Sequence, residues 1–383
     1  MKMAHLLASI IDRGLCDPAA LQTVPGHLSV ASVHYRAQEV TPGGLFVAVK
    51  GFAADGHDFA AQAVARGAAV VIGERPVQVD VPVVQVSDSR KALAVLAAEY
   101  FGHPSRRMTV VGITGTNGKT TTSYLIEAIA KAAGFSVGVI GTINYRYAGQ
   151  TFDNPVTTPE SLDLQRILSE MHAAGVTHVV MEISSHALAL HRVYGCHIDV
   201  AVFTNLSQDH LDFHVDMADY WACKRMLFDE YLPAVESQLT MRAVVNGDDP
   251  KGQALAEGLD LPHLTTGWHD QHPIRVIHAR FDLNGIHTRI QTPFGEIAVN
   301  SALAGRHNLE NILNAVGVGI ALKIEPVTIK MGIESLEMVP GRLERIPDPA
   351  NRRFVFVDYA HTPDALVKAL QTLSDLAQGR IIC

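Results

Sequence analysis

The sequence predicts an α/β protein of three domains arranged around a central, doubly wound, mainly parallel sheet. Three observations predict it. Apolar runs of strand length alternate with helical patterns along residues 105–338, the order that builds parallel sheets. Within this region Val110-Val111-Gly112-Ile113 leads into a Gly/Thr/Asn loop, then into Lys119 and three threonines that open a helical pattern. Polar clusters fall at later strand ends, where open α/β sheets hold their ligands.

The first predicted domain covers residues 1–104. Residues 45–49 read as a strand, 58–66 as a helix, 68–72 as a buried strand and 81–86 as another strand. Residues 89–101 read as a helix capped by Asp88 or Ser89. The loop from Lys50 to Gly56 admits a simple turn as readily as a ligand loop, and Gly102-His103-Pro104-Ser105 reads as a linker. The second domain covers 105–338. Its strands are expected at 137–143, 178–183, 200–206 and 243–246, with an appended antiparallel hairpin sheet over 263–299. A helix over 305–322 carries Asn308, Asn311 and Asn314 at three-residue spacing on one face. The third domain begins after Val339-Pro340-Gly341-Arg342. It shows a strand at 354–357 ending in Asp358, a helix over 363–376 with Pro363 suited to its first turn, and a strand start at 380–383. One strand, one helix and a strand start are too little to bury a core, so this domain reads as incomplete.

Composition narrows the function. The 383 residues carry 31 Lys+Arg against 39 Asp+Glu, a formal charge of −8. That balance, without a basic run, argues against broad nucleic-acid binding. Four widely spaced cysteines without a C-x-x-C pair suggest reduced thiols in a cytoplasmic protein. The N-terminus has too short an apolar core for a signal peptide, and no apolar run reaches membrane-spanning length.

The phosphate loop, Gly115-Thr116-Asn117-Gly118-Lys119-Thr120-Thr121, is shorter than the general P-loop. Its backbone N–H groups and the helix N-terminus suit phosphate oxygens. Lys119 can pair with terminal phosphates and Thr120 can reach Mg²⁺. Glu182, at a strand end, can complete that ion's shell or cap a nearby helix. His210, in Asp209-His210-Leu211-Asp212-Phe213-His214, can serve a second metal or act as an orienting donor. Lys224 follows the pattern of an ordinary helical lysine.

Seven segments then occur in order: GTNGKTT, MEISSHAL, FTNLSQDHLDFH, YWACKRMLF, GRHNLENILNA, PGRLE and VDYAHTPDAL. Together they resemble the Mur ligases of peptidoglycan synthesis, specifically the branch that adds the third stem-peptide residue to UDP-N-acetylmuramoyl-L-alanyl-D-glutamate. The resemblance implies a UDP-substrate domain, a central ATP domain and a Rossmann-like amino-acid-binding domain cut short at its C-terminal end. It implies a cytoplasmic monomer that uses ATP and Mg²⁺, engages neither nucleic acid nor membrane, and serves cell-wall synthesis, cell shape and division. Gly115 to Thr121, Asn308, Asn311, Arg342 and Asp358 would bind the nucleotide. Thr120, Glu182, His210 and a carbamylated Lys224 would hold Mg²⁺. Lys119, Lys224 and His210 would serve catalysis, and Thr157, Thr158, Ser184 and Arg192 would contact the UDP-dipeptide. The added amine is expected to be meso-diaminopimelate, with L-lysine as the alternative.

Three departures from the family pattern stand out. His34-Tyr35-Arg36 replaces Asp-Ser-Arg before the uridine stretch, Leu190 replaces Gln before His191-Arg192, and the Asp-Asn-Pro-Arg signature would lie beyond Cys383. Two other readings follow from the residues: a catalytically incomplete binding fragment, and a folylpolyglutamate synthase-like ligase, which shares the phosphate loop but needs no uridine domain.

Overall fold

The computed structural model describes all residues except Ala53, His210, Leu211, 234–236, 349–352, 361–362 and Gln378. Contacts divide the chain into two compact units. The first joins Met1–Met108, Thr158–Ala174 and His186–His197; the second joins Thr109–Thr157, Gly175–Ser185 and Ile198–Cys383.

In the first unit, strands β1 (Val33–His34), β2 (Gly44–Val47), β3 (Ala68–Gly73) and β4 (Val83–Gln85) form a parallel sheet in that order. Central β2 is buried along its whole length, which suits its unbroken apolar run. Helices Met3–Ile11 and Ser89–Tyr100 pack Leu6, Leu7, Ile10, Leu93 and Leu96 into the same core as Leu45, Val70 and Ile72. Asp88 caps the second helix through the N–H groups of Arg90 and Lys91. The second half of the expected linker is packed away: Pro104 and Ser105 are buried in a 3₁₀ turn, and the Ser105 hydroxyl accepts from the His197 N–H, while Gly102 stays exposed. Gly102 and Pro104 punctuate the chain locally, and tertiary packing covers only the proline.

The second unit holds an eleven-stranded sheet. Strands β5 (Thr109–Thr114), β6 (Val137–Ile140), β9 (His178–Glu182), β10 (Val200–Phe203), β11 (Ala243–Asn246) and β12 (His263–Gly267) form its parallel body, in the order β12-β11-β10-β5-β9-β6. Next to β6 lies a short hairpin, β7 (Tyr145–Tyr147) and β8 (Gln150–Phe152), which the sequence reading missed because three-residue strands carry almost no periodic signal. Beyond β12 come β13 (Ile274–Asp282), β14 (Gly285–Thr292) and β15 (Gly295–Ser301). Residues 263–299 are therefore not one appended antiparallel sheet. β12 and the start of β13 pair in parallel, and only β13-β14-β15 is antiparallel, continuing the same sheet. The core gathers Val111, Ile113, Val139, Val180, Val202 and Val244 with residues of helices Lys119–Ala132, Arg306–Ala321 and Pro326–Ser335.

Strands β16 (Glu344–Ile346) and β17 (Val355–Val357) pair antiparallel, and helix Pro363–Leu376 follows. Phe354, Val355 and Val357 are exposed. The strand expected at 380–383 is absent; Ile381 and Ile382 are exposed and pair with no strand. No helix among the described residues is long and apolar enough to cross a membrane.

Candidate active site

β5 delivers the chain into a loop whose two glycines are required by geometry. Gly115 has φ +142° and a Cβ there would stand 1.9 Å from Thr204 Oγ1; Gly118 has φ +87° and its Cβ would stand 2.2 Å from Asn311 Oδ1. Only glycine admits both the backbone and the neighbour. The loop is tied to the end of β10: the Asn117 N–H donates to Asn205 Oδ1 at 2.9 Å, and Thr116 Oγ1 donates to the Ser207 carbonyl at 3.1 Å. Helix Lys119–Ala132 starts directly behind it, with Thr120 and Thr121 buried.

Thr120 and Glu182 meet. Thr120 Oγ1 donates to Glu182 Oε2 at 3.0 Å, and Glu182 also accepts from the Thr142 N–H at 3.1 Å and the Thr142 hydroxyl at 2.9 Å. Glu182 is 1% exposed at the end of β9. Arg342 Nη2 donates to Thr120 Oγ1 at 3.3 Å, so Arg342 reaches the loop across 222 residues of sequence. This all-oxygen, buried pair of hydroxyl and carboxylate fits a hard cation such as Mg²⁺.

Two lysines converge on one carbonyl. Lys119 Nζ donates to Gly115 O at 2.9 Å and Thr116 O at 2.8 Å; Lys224 Nζ donates to Gly115 O at 2.9 Å. Lys224 is 1% exposed, and its ammonium lies 4.3 Å from the Tyr220 ring centroid. Burial pushes the Lys119 pKa down, with Arg342 adding to the effect and Glu182 and Asp209 opposing it. Burial, then the nearby Lys119 charge, pushes Lys224 well below the ordinary lysine value. A neutral, buried lysine amine has the nucleophilicity that a surface lysine lacks.

The asparagine face of Arg306–Ala321 is also positioned. Asn311 Nδ2 donates to Asn308 Oδ1 at 3.1 Å, Thr122 Oγ1 donates to Asn311 Oδ1 at 3.4 Å, and Asn314 Oδ1 accepts from Thr266. Asp358 accepts from the Leu343 N–H at 2.7 Å, next to Arg342 in sequence, and from the Ala360 N–H at 2.8 Å in its own turn. His210 lies outside the described residues. Thr157 Oγ1 stands 3.1 Å from Thr142 Oγ1, which links it to the Glu182 cluster. Ser184 is half-buried, two residues past Glu182. Thr158 and Arg192 belong to the first unit, where Arg192 Nη1 donates to the Thr158 carbonyl at 3.1 Å and Nε lies 3.6 Å from Glu160.

Sequence reading missed Thr142, Tyr220 and Asn205. Thr142 lies just past β6 as Glu182 lies at the end of β9, so the strand-end rule would have found it. Tyr220, whose hydroxyl lies 3.1 Å from Thr116 Oγ1, gives no such signal.

With this geometry in place, comparison with known proteins decides the family. A family model described as the Mur ligase middle domain matches residues 113–319, more than half of the chain. The chain belongs to the Mur ligase family. Further models, for the Mur ligase family catalytic domain and the Mur ligase glutamate ligase domain, match residues 29–101 and 341–383 of this Mur ligase. It is 46% identical over 357 residues to the UDP-N-acetylmuramoyl-L-alanyl-D-glutamate–2,6-diaminopimelate ligase of Geobacter metallireducens, covering 93% of this chain and 70% of that protein. The enzyme of the same name from Geobacillus kaustophilus is 43% identical, covering 93% and 73%. A solved structure of a ligase of that name superposes with a TM-score of 0.80 at 28% identity, covering 93% of this chain and 72% of that one. These matches, extending through residues 29–101, set aside the folylpolyglutamate synthase-like reading of this Mur ligase.

Proposed function

We propose that this chain is an ATP-dependent amide ligase that joins meso-diaminopimelate to UDP-N-acetylmuramoyl-L-alanyl-D-glutamate in peptidoglycan synthesis. The observation that carries the reading is the Thr120–Glu182 pair beside half-buried Lys119 and buried Lys224, which both donate to one carbonyl of the phosphate loop, in a chain of this family. Residues 1–104 would bind the UDP-substrate, 105–338 the ATP, and 339–383 would begin the amino-acid-binding domain, all in a monomeric cytoplasmic enzyme.

The D-glutamate γ-carboxylate attacks the γ-phosphorus of ATP, the bond to the bridging oxygen breaks, and ADP leaves. The diaminopimelate amine then attacks the acyl carbon, loses a proton, and phosphate departs as the amide forms. Two anions must meet in the first step, so the chain's task is to offset repulsion and hold geometry. The loop N–H groups and Lys119 bind the phosphates. Asn308 and Asn311 flank the base, with Asp358 toward the ribose. Arg342 is placed against Thr120 and adds positive charge beside the loop. Thr157, Thr158, Ser184 and Arg192 orient the dipeptide. Thr120, Glu182, His210 and carbamylated Lys224 would hold Mg²⁺; when bound, Mg²⁺ neutralises phosphate charge and polarises the reacting phosphoryl group. Carbamylation, the addition of CO₂ to the neutral Lys224 amine with release of a proton, turns a cation into an anionic oxygen donor.

The test is phosphate release by the 383-residue chain given ATP, Mg²⁺ and the UDP-dipeptide, with diaminopimelate, with lysine, or with neither. Release that depends on diaminopimelate is the expected result. Release that favours lysine overturns the amine assignment. Saturable nucleotide and UDP-dipeptide binding without release identifies a binding platform rather than a ligase.

A further inference from the structure

His214 has a place in the site that the seven-segment pattern leaves unassigned. It is 2% exposed and both ring nitrogens hold protein partners. Nδ1 lies 3.1 Å from Asp219 Oδ2, and Nε2 lies 2.9 Å from Ser185 Oγ. The tautomer that satisfies this chain carries its proton on Nδ1, donating to the carboxylate, and accepts from the serine hydroxyl at Nε2. Ser185 is 1% exposed and stands three residues after Glu182. Asp219 sits in the first turn of helix Met217–Met226, which carries Lys224.

That helix is tied to its surroundings at three successive points. Lys224 reaches Gly115 and Tyr220 reaches Thr116, both on the phosphate loop. Asp219, through His214, reaches Ser185 beyond β9. The first two ties set the lysine against the loop; the third sets the lysine's helix against the strand end that bears Glu182 and Ser184. The donor atoms of His214, Asp219 and Cys223 also lie within 4.8 Å of one another, but a metal there would have to displace the Asp219 hydrogen bond.

We infer that His214 is a positioning residue of the ligase: by bridging Asp219 to Ser185 it fixes the Lys224 helix relative to the turn holding Glu182 and Ser184. The inference rests on the proposed function. Misplacement by about 1 Å can cost about a hundredfold in rate, so the bridge acts on kcat and on the UDP-dipeptide, while ATP binding by the loop persists.

The experiment compares His214→Ala, His214→Gln, His214→Asn, Ser185→Ala and the His214→Ala/Ser185→Ala double variant with wild type. Readouts are kcat, both KM values, UDP-dipeptide affinity by calorimetry and Tm. His214→Ala is expected to lower kcat by about 10- to 100-fold and to weaken UDP-dipeptide binding, with the KM for ATP unchanged. Gln, whose amide reaches the Nε2 position, restores most of the rate; Asn, which reaches only the Nδ1 position, does not. The double variant loses no more than the worse single one, because both break the same bridge. Should His214→Ala fail to fold, the Gln/Asn contrast and Ser185→Ala carry the test. A fall in Tm with kcat and UDP-dipeptide affinity unchanged overturns the inference, as does equal rescue by Asn and Gln. Wild type that neither releases phosphate nor binds the UDP-dipeptide overturns the proposed function, and this inference with it.

Discussion

Two regions of the molecule treat buried positive charge in opposite ways. In the first unit, Arg90 and Arg192 share Glu160, at 3.1 Å and 3.6 Å. Each has a carboxylate partner inside the protein. At the phosphate loop of the second unit, Lys119 and Lys224 share only a backbone carbonyl, and among the described residues neither forms an ion pair. An unmatched buried cation is costly, and the structure responds by depressing both pKa values. Such an arrangement persists where a ligand brings the missing negative charge. Paired arginines place groups; unpaired lysines await an anion.

The sharpest break of this contrast is Lys119→Ala. It removes the charge meant for the terminal phosphates, and ATP turnover is expected to fall by at least about 10²–10³-fold, the scale for losing one preorganised donor at a developing charge. Unchanged phosphate release would sink the phosphate-loop assignment. Lys224→Ala comes next. It should be nearly inactive, yet regain activity with short-chain carboxylates that occupy the space of the carbamate. Full activity without them would mean that the reaction needs neither the carbamate nor the amine of Lys224. Glu160→Gln probes the other side of the comparison. It loosens two arginines without removing them, so the KM for the UDP-dipeptide should rise by only about 3- to 10-fold with kcat held, in line with about 1 kcal/mol for a partly solvated pair. A kcat loss as large as that of Lys224→Ala would erase the distinction between the two regions.

The same contrast explains what could be read from sequence. The parallel body of the sheet was legible because β5, β9, β10 and β11 each carry an apolar run followed by polar residues at or beyond the strand end. The loop was legible because its glycines and Lys119 are contiguous. Contacts made across the chain were not. The approach of Arg342 to Thr120 spans 222 residues. The placement of Lys224 on Gly115 spans 109, and helical periodicity alone gave that lysine no distinction. The direction of β12 was misread because strand alternation reports which face is buried, not which direction the neighbour runs.

Tyr35 supplies the smallest expected effect and refines the paired side of the comparison. It stands where the family pattern has a small serine, and its hydroxyl donates to Asp163 Oδ2 at 2.7 Å while the Arg36 guanidinium lies 4.9 Å from its ring centroid. Burial and the Asp163 contact push its pKa up, so it stays a neutral donor. The tyrosine thus fastens residue 35 to helix Ser161–Ala173 within the first unit. Tyr35→Phe keeps the ring and removes one hydrogen bond whose acceptor retains solvent access, so stability should fall by about 0.5–1.5 kcal/mol. Urea denaturation measures that loss. Affinity for the UDP-dipeptide, followed by calorimetry on the same variant, should stay within about twofold, since a structural hydroxyl supplies no ligand contact. A tenfold weakening with little change in stability would instead make the hydroxyl part of the uridine pocket, and the first unit would then hold a polar group kept for the ligand, as the phosphate loop does.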